Sequence, residues 1–455
     1  MLLIRCAGIS LSLCCATYIQ AQQWTSLVPG EDLTGWTLRG GSATFSSEDG
    51  IVSAKCTDRS QNTFLCTNDT YKDFILEFDI LVDSALNSGV QIRSHSRPHY
   101  QNGRVHGLQV EVDPSHRRFS GGIYDEGRRL WMYPTTLNPE CRSAFGNGTW
   151  NSFRVEAIGN YIRSWVNGTP CANLVDEYNE DGFIALQAHS VNSDADIGKI
   201  VQWRNIRIIT TNLERYYTKV FAPEHSYLVN RLTPNEIALG WKLLWDGRTS
   251  TGWRSARSGA FPDHGWVMND GVLTIEGTSG GESAGPGDII TVKQYDDFIL
   301  ELELMITDGA NSGIKYFVDP ELNKSTGSAI GCEFQILDDA RHPDAQMGVN
   351  GNRTLASLYD LIPATNYSLP GRPKQFKGVN AWNKATIVSE DGKVEHWLNN
   401  EKVVEYDRLS QIFRALVAHS KYKQWPDFGQ WPQGHILLQD HGNTVHFRSI
   451  KILEL

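Results

Sequence analysis

The feature that most constrains this chain is that it resembles itself: one ordered set of landmarks occurs twice. Asp73-Phe-Ile-Leu-Glu and Asp297-Phe-Ile-Leu-Glu, Asn87-Ser-Gly and Asn311-Ser-Gly, and Gly107 and Gly331 are each separated by 224 residues. Both halves close alike, on Gly182-Phe-Ile-Ala-Leu-Gln-Ala-His and Gly434-His-Ile-Leu-Leu-Gln-Asp-His. Such a chain is expected to fold as two copies of one architecture, and 455 residues are enough for two domains that each bury a core. The expected division is an N-terminal signal segment over 1–21, a first copy over 22–212, a linker over 213–238 and a second copy over 239–455.

Within each copy the apolar residues alternate, as in Phe74-Ile-Leu-Glu-Phe-Asp-Ile-Leu, Leu108-Gln-Val-Glu-Val and Val445-His-Phe-Arg-Ser-Ile-Lys-Ile. A period of two puts apolar side chains on one strand face and leaves the other face to solvent. Many such strands, divided by Gly, Asn, Asp and Pro, predict an all-β fold with two antiparallel sheets packed as a jelly-roll sandwich in each copy. Helical periodicity is weak except in the linker, where Leu232-Thr-Pro-Asn-Glu predicts a short helix.

Arg5 precedes an apolar run that ends in small and polar residues near Ala21, the pattern of a secretory signal, so a periplasmic or secreted protein is expected. No apolar run reaches the roughly 18 residues that a membrane-spanning helix needs. The formal charge is −10, which disfavours nucleic acid and anionic membranes as partners. Beyond the signal segment lie Cys56, Cys66, Cys141, Cys171 and Cys332. Cys56 with Cys66, and Cys141 with Cys171, are candidate disulfides; no pair has metal-ligand spacing, and none is given a catalytic role.

The second copy carries Gly240-Trp-Lys-Leu-Leu-Trp-Asp-Gly, Glu333-Phe-Gln-Ile-Leu-Asp-Asp, His342-Pro-Asp, Ser357-Leu-Tyr-Asp, Glu395-His-Trp-Leu-Asn, Ser420-Lys-Tyr and Leu438-Gln-Asp-His-Gly. Together these segments resemble the 3-keto-disaccharide hydrolase domain family, which has a concanavalin A-like lectin/glucanase sandwich. The first copy, with Gly107-Leu-Gln-Val-Glu-Val-Asp, Gly121-Gly-Ile-Tyr-Asp and Trp131, is similar to another branch of that family. The resemblance implies a concave sugar-binding face and cleavage of glycosides whose C3 hydroxyl has been oxidised to a ketone.

An ordinary glycosidase needs two carboxyl groups across the scissile bond. Glu111 and Asp113 have strand spacing for one face, but the matching stretch of the second copy holds Glu333 and Gln335, so the pair is not shared. A 3-keto sugar asks for less. Its ketone acidifies the C2 proton, whose removal gives an enolate able to expel the C1 substituent, and hydration completes a net hydrolysis. This route needs a base near C2, a donor or cation near the C3 oxygen and a proton source for the leaving group.

Candidates in the second copy are Glu333 and His441 for base and acid, and Tyr359 and Lys421 for stabilising the enolate or leaving group. Gln335, Asp338, His342, Gln439 and Arg448 are candidates for holding substrate hydroxyls, with pairing to a buried carboxylate of its own sheet as the alternative for Arg448. In the first copy Gln109, Glu111, Tyr124, Gln187 and His189 take the corresponding substrate-binding positions. Asn87-Ser-Gly and Asn311-Ser-Gly read as turn or bulge chemistry, and Trp131, Trp425 and Trp431 as rings that can stack on a sugar. No cofactor is required by the sequence; a divalent cation near His342, Asp344, Asp338 and Asp339 matches no strong ligand spacing. A tandem carbohydrate-binding module without catalysis, and a conventional glucanase using Glu111 and Asp113, are the alternatives.

Overall fold

The computed structural model describes residues 24–455 except 29, 279–280, 283–284 and 325–326. The expected signal segment lies outside the described residues. Two β-sandwiches follow one another along the chain, each with its own hydrophobic core. In the first, a nine-stranded sheet centred on Phe74–Val82 faces a seven-stranded sheet centred on Ser88–His95. In the second, an eight-stranded sheet containing Phe298–Ile306 faces a five-stranded sheet ordered Trp253–Ser255, Ile289–Thr291, His435–Leu438, Asn311–Asp319, Ile330–Leu337.

Alternation explains the layering. Along Phe74–Val82, Phe74, Leu76, Phe78, Ile80 and Val82 enter the core, while Glu77 and Asp79 point away and pair with arginines of neighbouring strands. The smaller sheets depart from the sequence expectation. His106–Val112 and Ile330–Leu337 are buried at every position, so their polar face lies sunk among surrounding side chains and not on an open sheet surface. That difference is what turns the polar residues of these strands into a site.

Between the sandwiches, His225–Ser226 adds to the first sandwich as a strand parallel to Thr169–Val175. The expected linker helix is present over Pro234–Leu239, where Thr233 and Glu236 cap each other reciprocally. This segment is tied to the second sandwich as well: Lys384 lies 3.2 Å from His225, and Asn400 donates to the Tyr227 hydroxyl at 2.8 Å. A second α-helix, Gln411–Ala418, was missed from the sequence although Phe413, Leu416 and Val417 have helical i, i+3, i+4 spacing, because eight residues give that period little length to stand out among strands.

Cys141 and Cys171 form a disulfide, as the sequence allowed. Cys56 and Cys66 do not pair. Both are buried free thiols, and Cys56 Sγ contacts the carbonyl oxygen of His189.

Candidate functional site

The small sheet of each sandwich supplies the floor of a site through the same device. Ser88 and Ser312 donate to the carbonyl oxygens of Gln187 and Gln439, which locks two strands together. The next residue, Gly89 or Gly313, leaves space that a neighbouring strand's side chain fills. A Cβ on Gly89 would stand 2.6 Å from Cγ of Gln109, and one on Gly313 would stand 2.9 Å from Cδ of Glu333. Asn87 donates to Glu111 Oε1 at 2.7 Å, and Asn311 lies 3.4 Å from Nε2 of His441. The Asn-Ser-Gly motifs are therefore parts of the site and not the turns expected from sequence.

In the second sandwich, Glu333 stands opposite Lys315 in the strand register, with Oε2 3.7 Å from Nζ. Glu333 is only 4% exposed, and burial pushes its carboxyl above the ordinary value against the pull of the Lys315 and Lys421 ammonium groups. Gln335, with its amide turned to donate, reaches Glu333 Oε1 at 3.2 Å. The segment around Ser357 runs along the edge of this sheet: Tyr359 N donates to the Glu333 carbonyl and Ala356 N to that of Gln335. Tyr359 is thereby brought beside Glu333, where its hydroxyl donates to Asp344 Oδ2 at 2.9 Å and burial raises its pKa.

Lys421 follows the helix Gln411–Ala418, and its Nζ sits 4.2 Å from the Tyr359 ring centroid. Desolvation lowers the Lys421 ammonium below its usual value, with Glu333 opposing. His441 faces His342, their rings 6.2 Å apart. Gln439 donates to Glu282 Oε1 at 2.9 Å, and Glu282 approaches Lys315 to 3.9 Å. Base, cations, phenol and imidazoles thus converge on one small area.

The first sandwich has an open cleft of about 960 Å³, lined among others by Gln109, Glu111, Tyr124, Trp131, Gln187 and His189. Here an amide pair replaces the ion pair: Gln91 Nε2 donates to Gln109 Oε1 at 2.8 Å, in the register position of Lys315 and Glu333. Gln109 then donates to Glu111 Oε2 at 2.9 Å. Burial pushes the Glu111 carboxyl up to about 7, although the bonds from Asn87 and Gln109 oppose the shift. Tyr124 meets Trp131 edge to face with centroids 5.1 Å apart.

With this geometry described, the comparisons decide the family. The model of the 3-keto-alpha-glucoside-1,2-lyase-like domain matches twice, over residues 23–209 and 240–453. The chain belongs to this family. A 3-keto-disaccharide hydrolase of Bacteroides thetaiotaomicron is 35% identical over 233 residues, which is 47% of this chain and 78% of that protein. A crystal structure from Parabacteroides distasonis, named as a proposed glycosyl hydrolase, is similar at 30% identity and a TM-score of 0.43, covering 50% of this chain and 100% of the other. A second structure from that organism, named likewise, has 23% identity and a TM-score of 0.34, covering 47% and 99%. The family and the curated relative support a carbohydrate hydrolase-like role.

Not every expected residue reaches a site of these lyase-like domains. Arg448 lies in Val445–Glu454 of the larger sheet, where its guanidinium pairs with Glu303 at 2.7 Å and stacks on Trp382. It serves the opposite layer. Asp338 spends its carboxylate on the backbone N–H groups of Gly309 and Ala340, holding a turn. Asp113 lies past the end of its strand and is absent from the lining of the Glu111 cleft; it pairs at 2.9 Å with Arg117, which does line it, so Glu111 and Asp113 do not face one cavity. Trp425 and Trp431 pack against the second core, and only Trp131 lines the described cleft.

The sequence reading missed Lys315, Glu282, Asn311 and Asn87. Lys315 was detectable, since it shares strand parity with Asn311 and Gly313; Glu282 lies in a loop whose path no periodicity reveals. Among the described residues no three His, Cys, Asp or Glu side chains converge as a metal set.

Proposed function

We propose that the chain cleaves 3-keto-glycosides at the second sandwich by elimination followed by hydration. The observation that carries this reading is the buried Glu333 carboxyl, set opposite Lys315 and raised above its ordinary pKa, beside Tyr359, Lys421 and His441. A carboxylate whose proton affinity is raised is a stronger base, and adjacent cations stabilise negative charge as it develops.

In the proposed sequence Glu333 takes the C2 proton, and the electron pair moves into an enolate whose C3 oxygen faces Lys421 and Tyr359. The enolate re-forms the ketone as the C1–O bond breaks, and His441 supplies the proton to the departing oxygen. Water then gives one proton to His441, restoring the acid, as its hydroxyl adds to C1 of the unsaturated ketone, and Glu333 returns its proton to C2. Gln335, Gln439 and His342 hold the sugar hydroxyls. No step is assigned to a cofactor, so dialysis against EDTA is expected to leave turnover intact. Export to the periplasm or medium rests on the N-terminal segment and is tested by fractionating cells that express the full chain.

One observation favours a second reading. Glu282 and Glu333 approach the same Lys315 ammonium, at 3.9 and 3.7 Å, and two acids around one point suit a conventional glycosidase. The test is aglycone release from a 3-keto-glucoside and from its unoxidised parent, for the wild type and Glu333→Gln. Release from the keto compound alone, lost in the variant, supports elimination. Release from the parent, lost in Glu282→Gln as well, supports the two-carboxylate reading.

A further inference from the structure

The first sandwich repeats the floor of the second but lacks its Lys–Glu pair. Gln91 and Gln109 stand where Lys315 and Glu333 stand. Thr169–Val175 connects directly to Phe183–Ala188, whereas the segment between Glu401–Asp407 and His435–Leu438 contains the helix that leads to Lys421. The two arginines of the first cleft are already engaged: Arg104 with Glu126 at 2.9 Å, and Arg117 with Asp113. Among the described residues that line this cleft there is no lysine, and neither arginine is unpaired to stabilise an enolate.

What remains is suited to an uncharged, hydroxyl-rich ligand. Gln187 lines the cleft and is 1% exposed, and its Oε1 has no hydrogen-bond donor among the described residues. A buried acceptor without a donor costs about 1–3 kcal/mol, which a ligand O–H recovers on binding. Trp131 lines the same cleft with a ring that is 8% exposed and lies under the Arg117 guanidinium, 5.7 Å from its centroid, and the uncovered part of such a ring can meet the apolar face of a pyranose.

The second sandwich helps to hold that ring. Leu369, from the loop before Asn383–Glu390, packs in one cluster with Phe119 and Trp131, with Tyr124 alongside. Asn400 of the second sandwich donates to the carbonyl oxygen of Met132, beside Trp131, at 3.1 Å. The aromatic wall is thus fixed by both sandwiches and preorganised, so little ordering is needed on binding.

We propose that the cleft of the first sandwich binds an unoxidised, neutral pyranose unit of a saccharide and holds it without cleaving it. This stands whether or not Glu333 performs the elimination. The test uses the full chain carrying Glu333→Gln, which removes the base proposed for the second site, with maltose, cellobiose, trehalose and sucrose as titrants in calorimetry. At least one is expected to bind, and adding Gln187→Leu or Trp131→Ala is expected to weaken that binding tenfold or more. Gln187→Leu removes the amide with its orphan acceptor and leaves an apolar side chain of similar size, so it reads the site even if Trp131→Ala disturbs the wall; circular dichroism checks both folds. Heat from none of the four sugars, or equal affinity with and without Gln187→Leu, overturns the proposal. Monosaccharide release by the Glu333→Gln protein that disappears on adding Glu111→Gln overturns it too, by making the first cleft catalytic.

Discussion

Gly313 stands opposite Gln335 in the strand register, yet the side chain over its Cα is Glu333, diagonally adjacent. A methyl group there would lie 3.0 Å from Cγ of Glu333 and closer still to its carboxyl. Gly313→Ala is therefore expected to displace the carboxylate from Lys315. Overpacking of this kind costs about 1–3 kcal/mol of stability. The expected outcome is a drop of tenfold or more in kcat/KM for a 3-keto-glucoside with the protein still folded, read by aglycone release and thermal unfolding.

Lys315 pulls the Glu333 pKa down while burial pushes it up. Lys315→Met removes the pull and nearly preserves side-chain length, so the carboxyl should hold its proton to higher pH. A general base must be deprotonated to act. The acidic limb of the kcat/KM profile is accordingly expected to move to higher pH in Lys315→Met, with a lower plateau; an unmoved limb would separate Glu333 from the proton transfer.

Glu111 offers a stability test that needs no substrate. Its folded pKa of about 7 exceeds the ordinary 4.5, so the folded protein binds this proton more tightly than the unfolded chain. Its contribution therefore falls as pH rises through that window. Glu111→Gln should flatten this loss and be more stable than the wild type at pH 8, by on the order of 3 kcal/mol, with the gap closing below pH 4.5. Glu401, raised to about 7 by burial, keeps part of the slope in the variant. Denaturant titrations from pH 4 to 8 check it.

Arg448→Met separates architecture from binding. The arginine pairs with Glu303, whose side chain is almost buried, and covers Trp382. Removing it leaves a poorly solvated carboxylate, at a cost on the order of 2 kcal/mol. A lower melting temperature with KM for a 3-keto-glucoside changed less than twofold is expected. A large rise in KM would return Arg448 to the substrate.

Much of the site was legible because strand parity is a covalent property. Glu333 with Gln335, and Gln109 with Glu111, had to share faces once their segments were strands, and the doubled landmarks marked those segments, whereas Gln439 and His441 lie beyond the end of His435–Leu438 and are placed by the loop. Parity does not name the sheet. Arg448 alternates correctly in its strand, yet that strand pairs with Phe298–Ile306 in the other layer. Asp338, one residue beyond Ile330–Leu337, leaves the strand and turns back to its own loop.

The sequence by itself determined the strand period, the doubled architecture it implied and the acids and amides that share each floor, because these follow from spacing along one chain. Only the tertiary structure decided that Lys315 faces Glu333, that Lys421 arrives from the segment after a distant helix and that the polar faces are sunk among other side chains. Those facts depend on strand register and loop paths between residues far apart in sequence. They also set the electrostatics, since a carboxylate on a wet strand face keeps its ordinary pKa and the same carboxylate under protein does not.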